Sequence, residues 1–244
     1  MEAIVLKNLT KRYKDVIAVD GLCLSVAKGE LYALLGVNGA GKTTTIKMLS
    51  CLVPPDDGDA LLGGHSILTE PDKVKEIIGV SPQETAVAPG LSVRENLSLM
   101  CGIHGFSRAR EDEKIRELAA KLGLDTVLGK RAGKLSGGWQ RRLSIAMALI
   151  SEPQILFLDE PTLGLDVLAR SDLWDVIRAL KGGVTIVLTT HYMEEAETLS
   201  DRIGVMRDGH LLTCGTTAEL CALTGTSRLE DAFIALVKDK KEVH

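Results

Sequence analysis

The chain has 244 residues, 45% hydrophobic and 25% charged, with a formal net charge of −4. That is enough for one large domain around a shared core, and the charge balance argues against a protein that coats nucleic acid. The five cysteines (Cys23, Cys51, Cys101, Cys214, Cys221) are scattered without a Cys-x-x-Cys pair, which suits reduced thiols better than a disulfide framework. The opening residues lack a basic-then-apolar leader pattern, and no apolar run reaches the ~18–20 residues of a membrane span. The expectation is a soluble chain that works at a membrane, if at all, through a partner.

In chain order, short β-branched runs alternate with longer helical patterns, the mark of a mainly parallel sheet covered by helices. Residues 3–9 and 17–26 read as strands flanking a turn. Leu31-Tyr32-Ala33-Leu34-Leu35 is a continuous apolar strand entering a glycine loop, and residues 42–51 are the helix that follows. Residues 77–81 form a weaker strand pattern. Strands then stop between about 92 and 150, where helices are predicted over 92–102, Arg108–Leu122 and 137–150. Arg108–Leu122 is charged on one face and apolar at Ile115, Leu118, Ala119 and Leu122, so it lies on a surface. The block reads as a helical lobe inserted into an α/β core. Residues 155–158 and 184–188 are apolar throughout, as expected of strands covered on both faces. From about residue 202 the chain reads as a hairpin turning at Asp208-Gly209, followed by one or two helices.

Gly36-Val37-Asn38-Gly39-Ala40-Gly41-Lys42-Thr43 matches G-x-x-x-x-G-K-[ST] between a strand and a helix. Glycines let the backbone wrap tightly and aim its N–H groups inward as an anion nest. The helix N-terminus adds free N–H groups and partial positive charge. Lys42 is placed to reach the β- and γ-phosphates of ATP, and the Thr43 hydroxyl to ligate Mg²⁺, with Thr44 beside it. Ile155-Leu156-Phe157-Leu158-Asp159-Glu160 is an apolar strand ending in two acids. In a parallel sheet, strand C-termini share an edge with the phosphate loop. Asp159 is therefore a candidate to hold Mg²⁺ through water, and Glu160 to orient and deprotonate the attacking water.

Leu135-Ser136-Gly137-Gly138, followed by Arg141-Arg142, completes a larger pattern. The ordered set of phosphate loop, Gln83, Ser136-Gly137-Gly138, Asp159-Glu160, Asp166 and His191 resembles the ATP-binding cassette (ABC) ATPases over nearly the whole chain. The resemblance implies a P-loop NTPase core with a mainly parallel sheet, an N-terminal antiparallel β subdomain and an inserted α-helical subdomain. It implies a single ABC ATPase domain over 1–244: 1–84 and 151–244 form the core with its β subdomain, and 85–150 the helical subdomain with the signature motif.

The family's roles fall on these residues one by one. Ser136, Gly137 and Gly138 resemble the signature loop that meets the γ-phosphate of ATP bound by a second protomer; Ser136 also reads as a helix N-cap. Gln83 resembles the glutamine that joins core and helical lobe and contacts Mg²⁺ or the attacking water. His191 resembles the switch histidine at the γ-phosphate. Asp166 resembles an aspartate at the dimer seam, and reads equally as the cap of the following helix. Tyr13, an aromatic in a polar segment of an aromatic-poor chain, resembles the ring that stacks on adenine.

Three positions depart from the common pattern. Val37 stands where proline is frequent, Trp139 replaces the usual glutamine after the signature glycines, and Leu163-Gly164-Leu165-Asp166 replaces Ser-Ala-Leu-Asp. Trp139 is expected to leave catalysis intact and to mark a contact with the helical lobe or a partner.

The segments from Thr189 to Ala196 and from Leu229 to Leu236 resemble ATPases of drug- and ion-extruding systems with a separate membrane subunit. The chain also stops where sugar-importer ATPases continue into a regulatory domain. The implied partners are a transmembrane permease, docking near residues 83–95, and a second ATPase protomer, at the cytoplasmic face of the membrane. No nucleic-acid partner is expected. A soluble ABC ATPase acting on ribosomes or DNA is the alternative, disfavoured because the chain has one domain, no heptad run and no basic tail. A P-loop kinase or GTPase has no use for Ser136-Gly137-Gly138.

Overall fold

The computed structural model describes residues 1–238. In chain order the elements are β1 (Glu2–Tyr13), β2 (Val16–Ala27), β3 (Leu31–Gly36), α1 (Lys42–Leu49), β4 (Asp57–Leu62), β5 (His65–Ser66), α2 (Pro71–Ile77) and β6 (Ile78–Ser81). They continue with α3 (Val93–Ile103), α4 (Arg108–Leu122), α5 (Gly137–Leu149), β7 (Ile155–Asp159), α6 (Val167–Leu180), β8 (Thr185–Thr190), α7 (Met193–Leu199), β9 (Arg202–Arg207), β10 (His210–Gly215), α8 (Thr217–Thr224) and α9 (Leu229–Lys238). Two compact units result, one of Met1–Lys75 with the chain from Lys181 onward, the other Glu76–Leu180.

The first unit carries two kinds of sheet. An antiparallel one runs β2-β1-β4-β5, with β1 and β2 joined as a hairpin that ends in the Tyr13–Val16 pair. In the other, β3 lies between β8 and β9, parallel to both, and β10 adds an antiparallel edge through the Asp208-Gly209 turn. Both turn residues have positive φ, 50° and 84°, the twist a tight hairpin requires. Strands β3 and β8 are buried at every residue, the expected result of their unbroken apolar runs. Ala33, Leu35, Ile203 and Val205 from this sheet pack against Ala196, Leu220, Leu229 and Phe233 of the C-terminal helices. Burying one such large side chain contributes roughly 1.5–3 kcal/mol. Helix α8 starts on a capping box between Thr216 and Glu219 and stops at Gly225 with φ 66°.

The second unit is mainly helical, with one parallel pair, β6 beside β7. Helix α3 begins on a capping box, Ser92 with Glu95, so Ser92 is the cap rather than the first helical residue. Helix α4 is capped by Ser107 and ended by Gly123 at φ 67°. Lys114, buried on that helix, ion-pairs with Glu117 at 2.9 Å and Glu152 at 3.0 Å. A buried ammonium needs such partners, and Lys114, with Arg110, holds the Glu152 carboxyl below the usual carboxylate range.

The sequence-based fold class holds: α/β, with an antiparallel N-terminal sheet, parallel pairing beyond it and a set of helices between. Strands β4 and β5 and helix α2 were absent from the sequence reading. Their stretch is rich in Pro, Asp and Gly, which read as loop. There Gly58, at φ 75°, lies so close to Asn8 that a Cβ would meet its carbonyl oxygen at 2.2 Å. Among the described residues no helix is long and apolar enough to cross a membrane.

Candidate functional site

In the first unit, β3 delivers Gly36 into a turn that ends at α1. Gly39 and Gly41 adopt φ of 84° and 100°, open to glycine and strained for other residues. Crowding fixes the other glycine contacts: a Cβ at Gly36 would lie 2.5 Å from the Met206 carbonyl oxygen, and one at Gly41 would lie 2.4 Å from that of Ala18. The C-terminal hairpin turn braces the loop from behind, since Gly209 donates its N–H to the Ala40 carbonyl at 3.2 Å and accepts one from Asp20 at 3.0 Å. Gly41 caps α1 with no side-chain bond, so the helix N-terminus keeps its donors for an anion. Lys42 is buried and folds its ammonium over the loop, donating to the carbonyls of Gly36 at 2.8 Å and Val37 at 3.1 Å. Val37, Asn38 and Gly39 are exposed, Ala40 is buried, and Thr43 and Thr44 are half-buried.

Two more sequence-marked residues belong to this unit. The β3–β8 register pairs Leu35 with Thr190, so His191 leaves β8 at the edge where the phosphate loop leaves β3. Its ring lies 4.1 Å from that of Tyr192, centroid to centroid, and the Tyr192 amide donates to the Thr190 hydroxyl. Tyr13 closes β1, 44% exposed. Lys11 places its ammonium 5.5 Å from the Tyr13 ring centroid and is itself held by Pro54 O at 2.8 Å and Asp56 at 3.1 Å. The Arg12 amide, at 2.6 Å, and then Lys11 keep the Asp56 carboxyl below the usual carboxylate range.

The second unit groups the remaining candidates. In the β6–β7 register Ser81 pairs with Leu158, which puts Pro82-Gln83 and Asp159-Glu160 at one edge. Asp159 and Glu160 are buried, 4% and 8% exposed, and Glu160 has the left-handed φ of 46°, a conformation costly for a non-glycine residue. Gln83 is exposed.

Ser136 occupies the N-cap position of α5, yet its side chain makes no capping hydrogen bond. The capping function expected of that hydroxyl is thus corrected: backbone geometry alone starts the helix, and the exposed hydroxyl stays available. Gly137 and Gly138 pack beside the segment carrying Asp166, where a Cβ would meet Leu165 and Ala169 at 3.2 Å. Asp166 does cap α6, its carboxylate accepting the Ala169 N–H at 2.9 Å. Just past it, Val167 and Leu168 are 76% and 78% exposed. Trp139 lies under the Arg142 guanidinium, 5.1 Å from its ring centroid, a contact within α5 itself.

Arg141, which the sequence shows only as part of the signature pattern, has a role of its own. It is buried and donates through Nη1 to Pro82 O at 2.6 Å and through Nη2 to Gln83 O at 2.7 Å. The available signal was spacing: residues 138, 141, 145 and 149 form the buried stripe of α5, and an arginine on a core stripe must be bound to something.

Residues 19–163 match the ABC transporter family. The chain is 45% identical to the daunorubicin/doxorubicin resistance ATP-binding protein of Streptomyces peucetius, over 94% of this chain and 71% of that one. Among solved structures it resembles the ATP-binding subunit of an ABC transporter, with TM-score 0.84 and 27% identity over 96% of this chain and 99% of the other. It also resembles a dimeric ATP-binding cassette in a post-hydrolysis state bound to ADP and Pi, with TM-score 0.78 and 27% identity over 87% and 98% of the two chains. A family match across more than half the chain, with relatives of this identity, places the function as well as the fold: the chain belongs to the ABC transporter family, as one of its ATP-binding, ATP-hydrolysing members.

Proposed function

We propose that this chain is the ATPase subunit of an exporter, working as a pair of cassettes at the cytoplasmic face of a membrane and driving a separate permease. The observation that carries the pairing is Ser136, an exposed hydroxyl at a helix N-terminus that capping does not consume. Beside it stand two glycines, where backbone N–H groups add to an anion site. Such a site faces outward, so its natural ligand is the γ-phosphate held by a second protomer. Val167 and Leu168, exposed next to Asp166, supply apolar surface suited to the seam of that pair.

The residues then divide the work. Gly36 to Thr44 wrap the phosphates, Lys42 releases its loop carbonyls for the β- and γ-oxygens, and Tyr13 stacks on the adenine. Thr43, Gln83 and Asp159 would hold Mg²⁺, a hydroxyl, an amide oxygen and a carboxylate being the oxygen donors that hard cation takes. The ion would neutralise charge on the transferred phosphoryl group. Glu160 takes the proton of the attacking water, while His191 and Gln83 contact the γ-phosphate side and report its loss. The helical lobe, 85–150, receives the permease near residues 83–95, converting cassette closure into movement of membrane segments. The daunorubicin/doxorubicin resistance of the Streptomyces relative makes drugs of that kind the class of cargo to test first.

Purification of the tagged chain from membranes, with identification of whatever accompanies it, tests this reading. Recovery of a polytopic membrane protein whose presence raises ATP turnover supports it. Recovery of ribosomes, with no membrane protein, overturns it in favour of a soluble translation-linked ATPase.

A further inference from the structure

Helix α5 carries a cation where its neighbours on the same stripe are small or apolar. Burying a guanidinium is costly unless its donors are satisfied. Arg141 meets that cost with a forked pair of hydrogen bonds, 2.6 and 2.7 Å, to the consecutive carbonyls of Pro82 and Gln83. One turn along the helix, the Ser144 hydroxyl shares a buried 2.9 Å hydrogen bond with that of Ser81. Below them, Gly79 lies against α5 so closely that a Cβ would meet the Ala148 carbonyl oxygen at 2.3 Å. Strand β6 and its continuation through Gln83 are therefore pinned along α5 at three successive levels, with no slack for sliding.

The downstream end of the same loop is held separately. Asn96, buried on α3, accepts the Ala88 N–H at 2.8 Å and returns its amide to the Ala88 carbonyl at 3.1 Å. Residues 84–87, which form no helix or strand, thus run between two anchored ends.

We infer that Arg141 is a positioning residue for Gln83, locking the backbone of that residue to the helix that begins at Ser136-Gly137-Gly138. The glutamine and the signature turn then move as one piece, and compliance is confined to 84–87. A partner pressing on those residues displaces α5, and with it the signature turn, instead of deforming the backbone at Gln83. Arginine suits the task because its planar fork spans two carbonyls at once; a lysine ammonium on a flexible stem cannot hold both in fixed geometry. The inference rests on the proposed role of Gln83 at the γ-phosphate.

The test is steady-state ATP turnover and ATP binding by the full chain for Arg141→Met, Arg141→Lys, Gln83→Ala and the double variant Gln83→Ala/Arg141→Met. Arg141→Met is expected to lower kcat by about tenfold to a hundredfold, the range for a misplacement of about 1 Å, with ATP affinity retained because the phosphate loop is untouched. Arg141→Lys falls between it and wild type, and stands in for it should the methionine variant fail to fold. The double variant turns over no more slowly than the slower single one. Losses that multiply in the double variant overturn the inference, as does a loss in Arg141→Met that follows thermal unfolding while kcat per folded molecule is unchanged. Normal turnover in Arg141→Met beside slow turnover in Gln83→Ala overturns the inference and leaves the reading of Gln83 standing. Normal turnover in Gln83→Ala overturns both.

Discussion

Leu35 pairs with Thr190 in the parallel ladder between β3 and β8. The residue that follows each is a candidate for phosphate contact, Gly36 at the end of β3 and His191 just past β8, and both strands are fully buried. A rigid pair of strands therefore fixes the spacing of loop and imidazole. His191→Ala should keep ATP binding and lower kcat by about a hundredfold, the usual cost of losing one preorganised donor. Equilibrium binding alongside single-turnover hydrolysis checks this; equal loss in both would place His191 in ground-state binding instead.

Lys42 already contacts its own loop, with carbonyls of Gly36 and Val37 inside 3.2 Å. Exchanging those neutral acceptors for phosphate oxygens is where its binding energy arises. Lys42→Ala should abolish the rise in Tm that Mg-ATP gives the wild-type chain, since a ligand stabilises only the state it binds. A thermal-shift titration decides it.

Glu160→Gln keeps size and most hydrogen bonding but removes the base. Turnover should fall by about 10²–10⁴, the range for a positioned general base, while ATP still binds. With hydrolysis blocked, gel filtration in ATP should show a dimer that is absent without nucleotide. Normal turnover by a monomer would remove Glu160 from the base position.

Two serines at helix starts make a paired comparison. Ser92 is bonded into a capping box with Glu95, and Ser92→Ala should destabilise the chain by about 1 kcal/mol. Ser136 makes no such bond, and Ser136→Ala should change stability by less than about 0.5 kcal/mol. The order reverses for ATP-driven dimerisation in a Glu160→Gln background, where only the Ser136 change should weaken the dimer. Urea melts and gel filtration supply the two readouts.

The Asp56 carboxyl, held low by the Arg12 amide and then Lys11, supplies a pH signature. A depressed carboxylate contributes its stability at neutral pH and loses it as pH falls through the folded-state value. Asp56→Asn should therefore lower Tm at pH 7, and the gap between variant and wild type should close in acid. Because Lys11 also faces Tyr13, ATP affinity should fall alongside at pH 7.

Much of the candidate site was legible because phosphate chemistry demands unusual residues in fixed order. A glycine loop between strand and helix, or two acids ending an apolar strand, has few other uses. The same holds for β3, β7 and β8, whose unbroken apolar runs can only be interior strands. What escaped notice depended on long-range pairing. Strand β4 exists because β1 offers it an edge, not because residues 57–62 favour extension. The Arg141 fork is a single polar side chain meeting backbone tens of residues away, and the Asn96 clamp grips the loop ahead of its own helix; local periodicity encodes neither. Ser136 shows the reverse: its position as a cap was legible, but whether its hydroxyl turns back to the helix was decided by geometry.

Gly209 ties the turn of the C-terminal hairpin to the phosphate loop, giving its N–H to Ala40 and receiving one from Asp20. Residues far apart in the chain thus close the same few ångströms of backbone. A nascent chain emerging from the ribosome carries its lysine and glycines early, yet lacks this buttress until the Asp208-Gly209 turn has followed. Nucleotide capture consequently waits on a segment made well after the motif itself, and truncation ahead of the hairpin should leave a phosphate motif intact in sequence but without the backing that gives it shape.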